Sequence, residues 1–165
     1  MNLLISDNFL PSSRANEVYT EIKTYAYTYG EVDTTGLPPT GMVHNLPNDS
    51  CLVKELLISA YQAFPKLVGH VPFRSYINYF APAENPYFHS DGDRGVTVLI
   101  YINPETSLDE GGETQFVGSN HCIHSVLPRP GRAVMFDARL VHKATSFRTQ
   151  PRFTIALKFD SVSWS

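Results

Sequence analysis

The hydrophobic pattern of this chain changes period once, near Pro72. Ahead of that point Ala15, Val18, Tyr19 and Ile22 recur at helical spacing behind Pro11-Ser12-Ser13. The spacing predicts a first helix over about 13–27, capped by a serine and ended by Gly30. Leu52, Val53, Leu56, Leu57, Ala60, Tyr61 and Phe64 repeat the pattern behind Asp49 or Ser50 as the cap, and Pro65 stops this second helix. Between the two, residues 31–48 carry Pro38-Pro39, Gly36, Gly41 and Pro47, the composition of a loop, and a loop of that length is often functional.

Beyond Pro72 apolar and polar residues alternate. Strands are expected at Arg74–Phe80, Val96–Ile102, Gln115–Val117, Ala133–Phe136 and Arg152–Phe159, punctuated by Gly92, Gly95, Gly111-Gly112, Gly118 and Pro130-Gly131. Two helices followed by many short strands predict a mainly β (α+β) chain, a sandwich or jelly roll with the helices packed on one sheet. We read 1–165 as a single domain, with 1–72 as helical support and loop and 73–162 as the β core. In the last strand Phe153, Ile155, Leu157 and Phe159 share one face and Arg152, Thr154, Ala156 and Lys158 the other. The aromatic face should meet the helices. Arg152 then points into the barrel, where a buried guanidinium requires an anion.

Composition narrows the function. Aromatic residues at 12% and twelve prolines favour a β-rich domain with many turns over a helical bundle. A formal net charge of −3 without any basic block gives no support for nucleic-acid binding. Only Cys51 and Cys122 are present, so neither a disulfide framework nor a Cys-x-x-Cys zinc site is expected, and a reducing compartment, the cytoplasm, is the default. The amino-terminal residues lack a basic signal-peptide n-region, and the longest apolar run, around Val96 to Ile102, is far short of the roughly 20 residues that cross a bilayer. A soluble protein without a membrane partner is expected.

The candidate chemistry lies in Tyr87-Phe88-His89-Ser90-Asp91-Gly92-Asp93, with His142 fifty-one positions after Asp91. Residues i and i+2 of an extended strand project from one face roughly 6.5–7 Å apart, so His89 and Asp91 can converge on one metal ion. A second imidazole from His142 completes a two-His, one-carboxylate set, which leaves the opposite face of the ion open and suits oxygen-activating non-haem Fe(II). Either histidine alone would read as an ordinary partly buried residue. Asp93 reads as a turn or outer-sphere residue, Glu113 and Thr114 as turn residues after Gly111-Gly112, and His121-Cys122-Ile123-His124 as a solvated segment. His44, Arg74 and Arg139 read as surface or structural.

With these residues assembled, Arg74–Asp160 resembles the Fe(II)/2-oxoglutarate-dependent dioxygenases, and among them the prolyl 4-hydroxylase-like branch. The resemblance rests on an ordered series. Tyr79 stands ten residues before His89, and His89-x-Asp91 is followed by the strand Thr97–Asn103 and Glu110-Gly111-Gly112-Glu113-Thr114. Leu127–Phe136, His142 and Arg152-x-Thr154 complete it. It implies a double-stranded β-helix, iron on His89, Asp91 and His142, and Arg152 on the distal carboxylate of 2-oxoglutarate, with Tyr79, Tyr101 and Thr154 as pocket partners. It also implies O2 as co-substrate and ascorbate as an external reductant. Many prolyl 4-hydroxylases place Lys where this chain has Arg152. Arg with a hydroxyl residue two positions on is also frequent among small-molecule hydroxylases, so a peptidyl proline and a free amino acid or metabolite both stand as prime substrates. The family's halogenases have a small residue in place of Asp91, which excludes halogenation here. A non-catalytic cupin-like binding module and an oxygenase without a 2-oxo acid are the remaining alternatives.

Overall fold

The computed structural model describes residues 2–30, 32 and 35–161. Its elements in chain order are β1 (Leu4–Ser6), α1 (Ser12–Ile22), β2 (Thr28–Tyr29), β3 (Met42–Leu46), α2 (Cys51–Ala63) and β4 (His70–Phe80). They continue with β5 (Val96–Tyr101), β6 (Thr114–Val117), β7 (Ile123–Val126), β8 (Ala133–Asp137), β9 (His142–Ala144) and β10 (Arg152–Ser161). The strands form a seven-stranded sheet in the order β1-β8-β5-β10-β4-β3-β2 and a three-stranded sheet in the order β7-β6-β9. All recorded pairs are antiparallel. Two facing sheets with crossed connections make the double-stranded β-helix that the resemblance implied.

Strand parity divides the interior in two. Ile77 of β4, Val98 and Ile100 of β5, Ala133 and Met135 of β8 and the apolar face of β10 pack under the helices, against Val18, Ile22, Val53, Leu56 and Ala60. The alternate positions, Tyr76, Leu99, Tyr101, Val134, Phe136 and Ala156, face the small sheet and meet Phe116 and Val126. The predicted two faces of β10 are as expected: Phe153, Ile155, Leu157 and Phe159 lie under the helices, and Arg152, Thr154, Ala156 and Lys158 line an interior cavity.

Several boundaries differ from the expectation. Helix α1 begins at Ser12 behind Pro11 without a side-chain cap and stops at Ile22, not near residue 27. Thr24 Oγ1 and Tyr27 Oη donate to the carbonyls of Glu21 and Ile22, which gives the helix end its partners, and Tyr27 turns back to pack on Tyr79 and Phe153. Helix α2 has the expected cap, with Ser50 Oγ accepting from the Val53 amide at 3.3 Å. The segment read as loop from 31 to 48 contains β3, annealed to β4 from Met42 opposite Tyr79 to Leu46 opposite Ser75. Glycine and proline on both sides hide so short a strand from any periodicity test. Strands β1, β2, β7 and β9 were not predicted either, each being four residues or fewer.

One irregularity bears on the site. The β10–β4 register shifts between Lys158, opposite Arg74, and Phe159, opposite Pro72, which leaves Phe73 as an extra residue on β4. This bulge re-aims Phe73 to the cavity mouth although Arg74, Tyr76, Asn78 and Phe80 already fill the inward positions of that strand. No described helix is long and apolar enough to cross a membrane.

The amino-terminal arm is pinned to the sheet at Gly131, whose φ is +78° and whose carbonyl accepts from the Leu10 amide at 3.0 Å. A Cβ there would stand 2.1 Å from the Leu10 carbonyl oxygen. Gly131→Ala is expected to destabilise the fold by about 2 kcal/mol, combining a left-handed backbone with a backbone clash. Thermal unfolding should show this as a fall in Tm of roughly 4–8 °C.

Candidate metal centre

His89 precedes β5, and the start of β9 anchors it: the amides of His89 and His142 each donate to the other's carbonyl at 2.9 Å. The Asp91 amide donates to Ala138 O at 2.7 Å. His89 and Asp91 are thus held to the distant segment 138–142 by backbone bonds rather than by loop chance. His89 Nδ1 lies 3.1 Å from Tyr87 O and His142 Nδ1 2.8 Å from Leu140 O. A carbonyl only accepts, so each Nδ1 carries the hydrogen and each Nε2 presents its lone pair. The two Nε2 atoms stand 3.6 and 3.7 Å from Asp91 Oδ1, and one donor atom from each of the three side chains lies within 4.8 Å of the others. Two neutral imidazoles and one carboxylate converging in this way could hold a divalent ion with one face open.

Electrostatics favour the ligating forms. Burial pushes the His142 imidazole down to about 4, against the opposing pull of Asp91. Phe116 and Phe136 supply that burial, their rings stacked on or edged against His142. Burial resists ionisation of Asp91, but the adjacent His89, Lys158 and His142 outweigh it and hold the carboxyl far below its ordinary range.

The second half of the site is Arg152, 1% exposed. Its Nε donates to Gly112 O at 2.9 Å, one terminal nitrogen to Thr114 Oγ1 at 3.0 Å, and the other to Thr154 Oγ1 at 3.4 Å. Gly112 has φ +81°, and a Cβ there would stand 2.2 Å from the Phe147 ring, so only glycine brings this carbonyl to the guanidinium. Among the described residues no carboxylate pairs with Arg152, and burial pulls its pKa down although Tyr101 and Glu113 oppose the shift. The guanidinium shares one cavity of about 230 Å³ with the triad.

The expected pocket residues divide. Thr154 lines the cavity. Tyr101 lies beneath it: its ring packs 5.7 Å from the guanidinium carbon and its hydroxyl donates to Thr114 Oγ1 at 2.8 Å. Tyr79 does not reach the cavity. Odd positions of β4 face the helices, and its ring packs on Phe153 and Tyr27, so the pocket position falls to Phe80, whose ring is 5.9 Å from the Arg152 carbon. The resemblance implies a pocket role for Tyr79, and strand parity instead turns its ring toward the helices. Asp93 is exposed and outside the triad.

Four residues were missed or undervalued. Thr114, read as a turn residue, is fully buried on β6 beneath Arg152. Thr97 donates to Asp91 Oδ2 at 2.6 Å, and Lys158 forms an ion pair with the same oxygen. Both belong to inward parity sets, Thr97 with Leu99 and Tyr101, Lys158 with Arg152, and that signal was present in the sequence. Arg74, read as surface or structural, lines the cavity, its guanidinium 4.2 Å from the Tyr76 ring centre and bonded to Asn45 Oδ1. His44 and Arg139 match the structural and surface readings, His44 packed on Tyr25 with Nδ1 at Ala26 O, Arg139 paired with Asp137 outside.

A two-His, one-carboxylate centre beside a buried arginine inside a double-stranded β-helix defines a class, the mononuclear non-haem iron oxygenases. The sequence profile of the 2OG-Fe(II) oxygenase superfamily matches residues 70–159, more than half of the chain. The chain belongs to that superfamily and is an Fe(II)/2-oxoglutarate-dependent oxygenase. Among solved structures, a prolyl-4-hydroxylase from Pseudomonas putida superposes with a TM-score of 0.75 at 15% identity, over 98% of this chain and 93% of the other. A prolyl hydroxylase from Trichoplax adhaerens, in complex with a peptide fragment of the hypoxia inducible factor oxygen degradation domain, gives 0.73 at 18% identity over 96% and 83%. HygX from Streptomyces hygroscopicus, with nickel, 2-oxoglutarate and hygromycin B bound, gives 0.73 at 12% over 99% and 84%. These likenesses are of fold. No protein of curated function matches the chain significantly in sequence.

Asp91→Asn removes the anionic ligand and leaves Lys158 buried against a neutral amide. The metal-free variant should lose about 3 kcal/mol of stability in urea unfolding, and calorimetric titration with Mn(II) should show no binding.

Proposed function

We propose that His89, Asp91 and His142 hold Fe(II), that Arg152 binds the distal carboxylate of 2-oxoglutarate, and that the enzyme hydroxylates an unactivated C–H bond of a prolyl residue in a peptide or protein. The observation that carries the co-substrate assignment is the buried cation of Arg152 on the inward face of β10, in the same cavity as the triad and without a carboxylate among the described residues. Iron with bound 2-oxoglutarate and O2 supplies the oxidising chemistry: the 2-oxo acid is decarboxylated to succinate and CO2, taking one oxygen atom, and the other enters the C–H bond. The chain contributes placement. Thr114, Thr154 and Gly112 O fix the plane of the Arg152 fork, so a co-acid gripped there by its distal carboxylate would be held in one orientation within the cavity that the triad shares. Leu99, Phe136 and Ala156 keep water from the interior wall.

The likeness in fold to prolyl hydroxylases, one with a peptide seated, and the exposed Phe73 at the mouth support the peptidyl substrate. A second reading, a free amino acid or other small metabolite, is supported by the wall that Val32, Thr40, Met42 and Val43 build over the cavity and by the polar lining of Arg74, Tyr76 and Asn78. Ascorbate is carried forward on the resemblance alone, as a reductant that keeps the ion ferrous. The exposed free thiols of Cys51 and Cys122 support a reducing, cytoplasmic setting.

Arg152→Ala should weaken 2-oxoglutarate binding by about 2–5 kcal/mol, the cost of losing one side of a buried charge pair, with Mn(II) affinity nearly unchanged in the same calorimetric experiment. Absence of 2-oxoglutarate binding to the Mn(II)-loaded wild type would refute the co-substrate assignment. Aerobic incubation with Fe(II), 2-oxoglutarate, and either proline-containing peptides or free amino acids separates the two substrate readings. The true substrate class raises succinate release well above the substrate-free rate, with and without ascorbate reporting the need for reductant.

A further inference from the structure

The two oxygens of Asp91 have different environments. Oδ1 faces His89 and His142 Nε2. Oδ2 faces away from them, accepting the Thr97 hydroxyl at 2.6 Å and the Lys158 ammonium, while Lys158 Nζ also donates to Thr97 Oγ1 at 3.2 Å. The three groups close a triangle. It is built by the sheet itself: Thr97 of β5 and Lys158 of β10 are direct cross-strand partners on the inward face. The triangle is buried, with residue exposures of 1% for Thr97 and 7% for Lys158, and the Lys158 ammonium lies 5.8 Å from the centre of the Tyr76 ring.

Burying a lysine and an aspartate together is a poor way to gain stability, because desolvating both ions offsets most of their attraction. Such a pair adjacent to a ligating oxygen has another use. An Oδ2 that already accepts two hydrogen bonds is held off the metal side, and the ammonium adds a fixed positive charge across the carboxylate from the ion.

We propose that Lys158 and Thr97 are positioning residues for the metal centre: together they hold Oδ2 so that Asp91 presents Oδ1 alone to the ion, and the Lys158 charge raises the reduction potential of bound iron, favouring the ferrous form. The proposal rests on the reading of His89, Asp91 and His142 as the metal ligands. With Asp91 restricted to one oxygen, the coordination positions on the Arg152 side stay open for the chelating co-acid and for oxygen.

The test uses the full chain loaded with Co(II), whose visible absorption reports ligand number and geometry, and the Fe(III)/Fe(II) midpoint potential of the iron-loaded protein. Lys158→Met keeps the length of the stem without the charge; it should shift the Co(II) spectrum and lower the midpoint potential. Lys158→Arg should keep the potential near that of wild type. Thr97→Val should shift the spectrum, and Thr97→Ser should restore it. A Lys158→Met protein with wild-type spectrum and potential, even if it melts at lower temperature, overturns the proposal and leaves Lys158 a structural residue. Should Lys158→Met fail to fold, the Thr97 pair decides: an unchanged Thr97→Val spectrum overturns the clamp, and a shift reversed in Thr97→Ser supports it. Failure of the wild type to take up Co(II) would overturn the metal centre itself, whereas uptake without any spectral change in the variants overturns the clamp alone.

Discussion

The architecture depends on β10, which pairs on both edges, with β4 along its whole length and with β5 from Thr154 to Phe159. A central strand buried on both faces normally carries apolar residues on both. Here only one face does. Phe153, Ile155, Leu157 and Phe159 bind the helices to the sheet, and the other face sends two cations, Arg152 and Lys158, into the barrel six residues apart. Burying cations is expensive, so the neighbouring strands are arranged around those charges.

The two cations are answered differently. Lys158 meets a protein anion, Asp91, with Thr97 completing the arrangement. Among the described residues the hydrogen-bond partners of Arg152 are neutral oxygens, the carbonyl of Gly112 and the hydroxyls of Thr114 and Thr154. Neutral acceptors orient a guanidinium but do not neutralise it. The buried charge at Lys158 is therefore answered within the protein, and the one at Arg152 is the basis of the proposed contact with the co-substrate.

The same strand logic explains why the reaction class is clearer than the prime substrate. The triad and Arg152 sit on paired strands or are tied to one by backbone bonds, as in the exchange between His89 and His142. The mouth is made of less regular parts: the bulge at Phe73, the short strand β3, and Val32 and Thr40. Rim residues on such segments set specificity in many folds, and they follow no periodicity that encodes their arrangement.

The local alternation after Pro72 determined β4, β5, β6, β8 and β10, and for β10 the two faces that place Arg152, Thr154 and Lys158 together. The spacing of His89, Asp91 and His142 and the ordered motifs around them pointed to the triad and to the family. What required the tertiary structure was anything resting on partner choice between strands. The resemblance implied Tyr79 in the pocket, but in the paired strand, opposite Met42 and Phe153, its ring faces the helices and Phe80 faces inside. Helix α1 stops at Ile22, and the chain beyond it turns back so that Tyr27 packs on Phe153. The contact between Lys158 and Asp91 joins residues sixty-seven positions apart in sequence, and only the β5–β10 register makes it. Period is a local property of a chain and can be read from it. Register is a property of two segments meeting, and it is decided only when they fold.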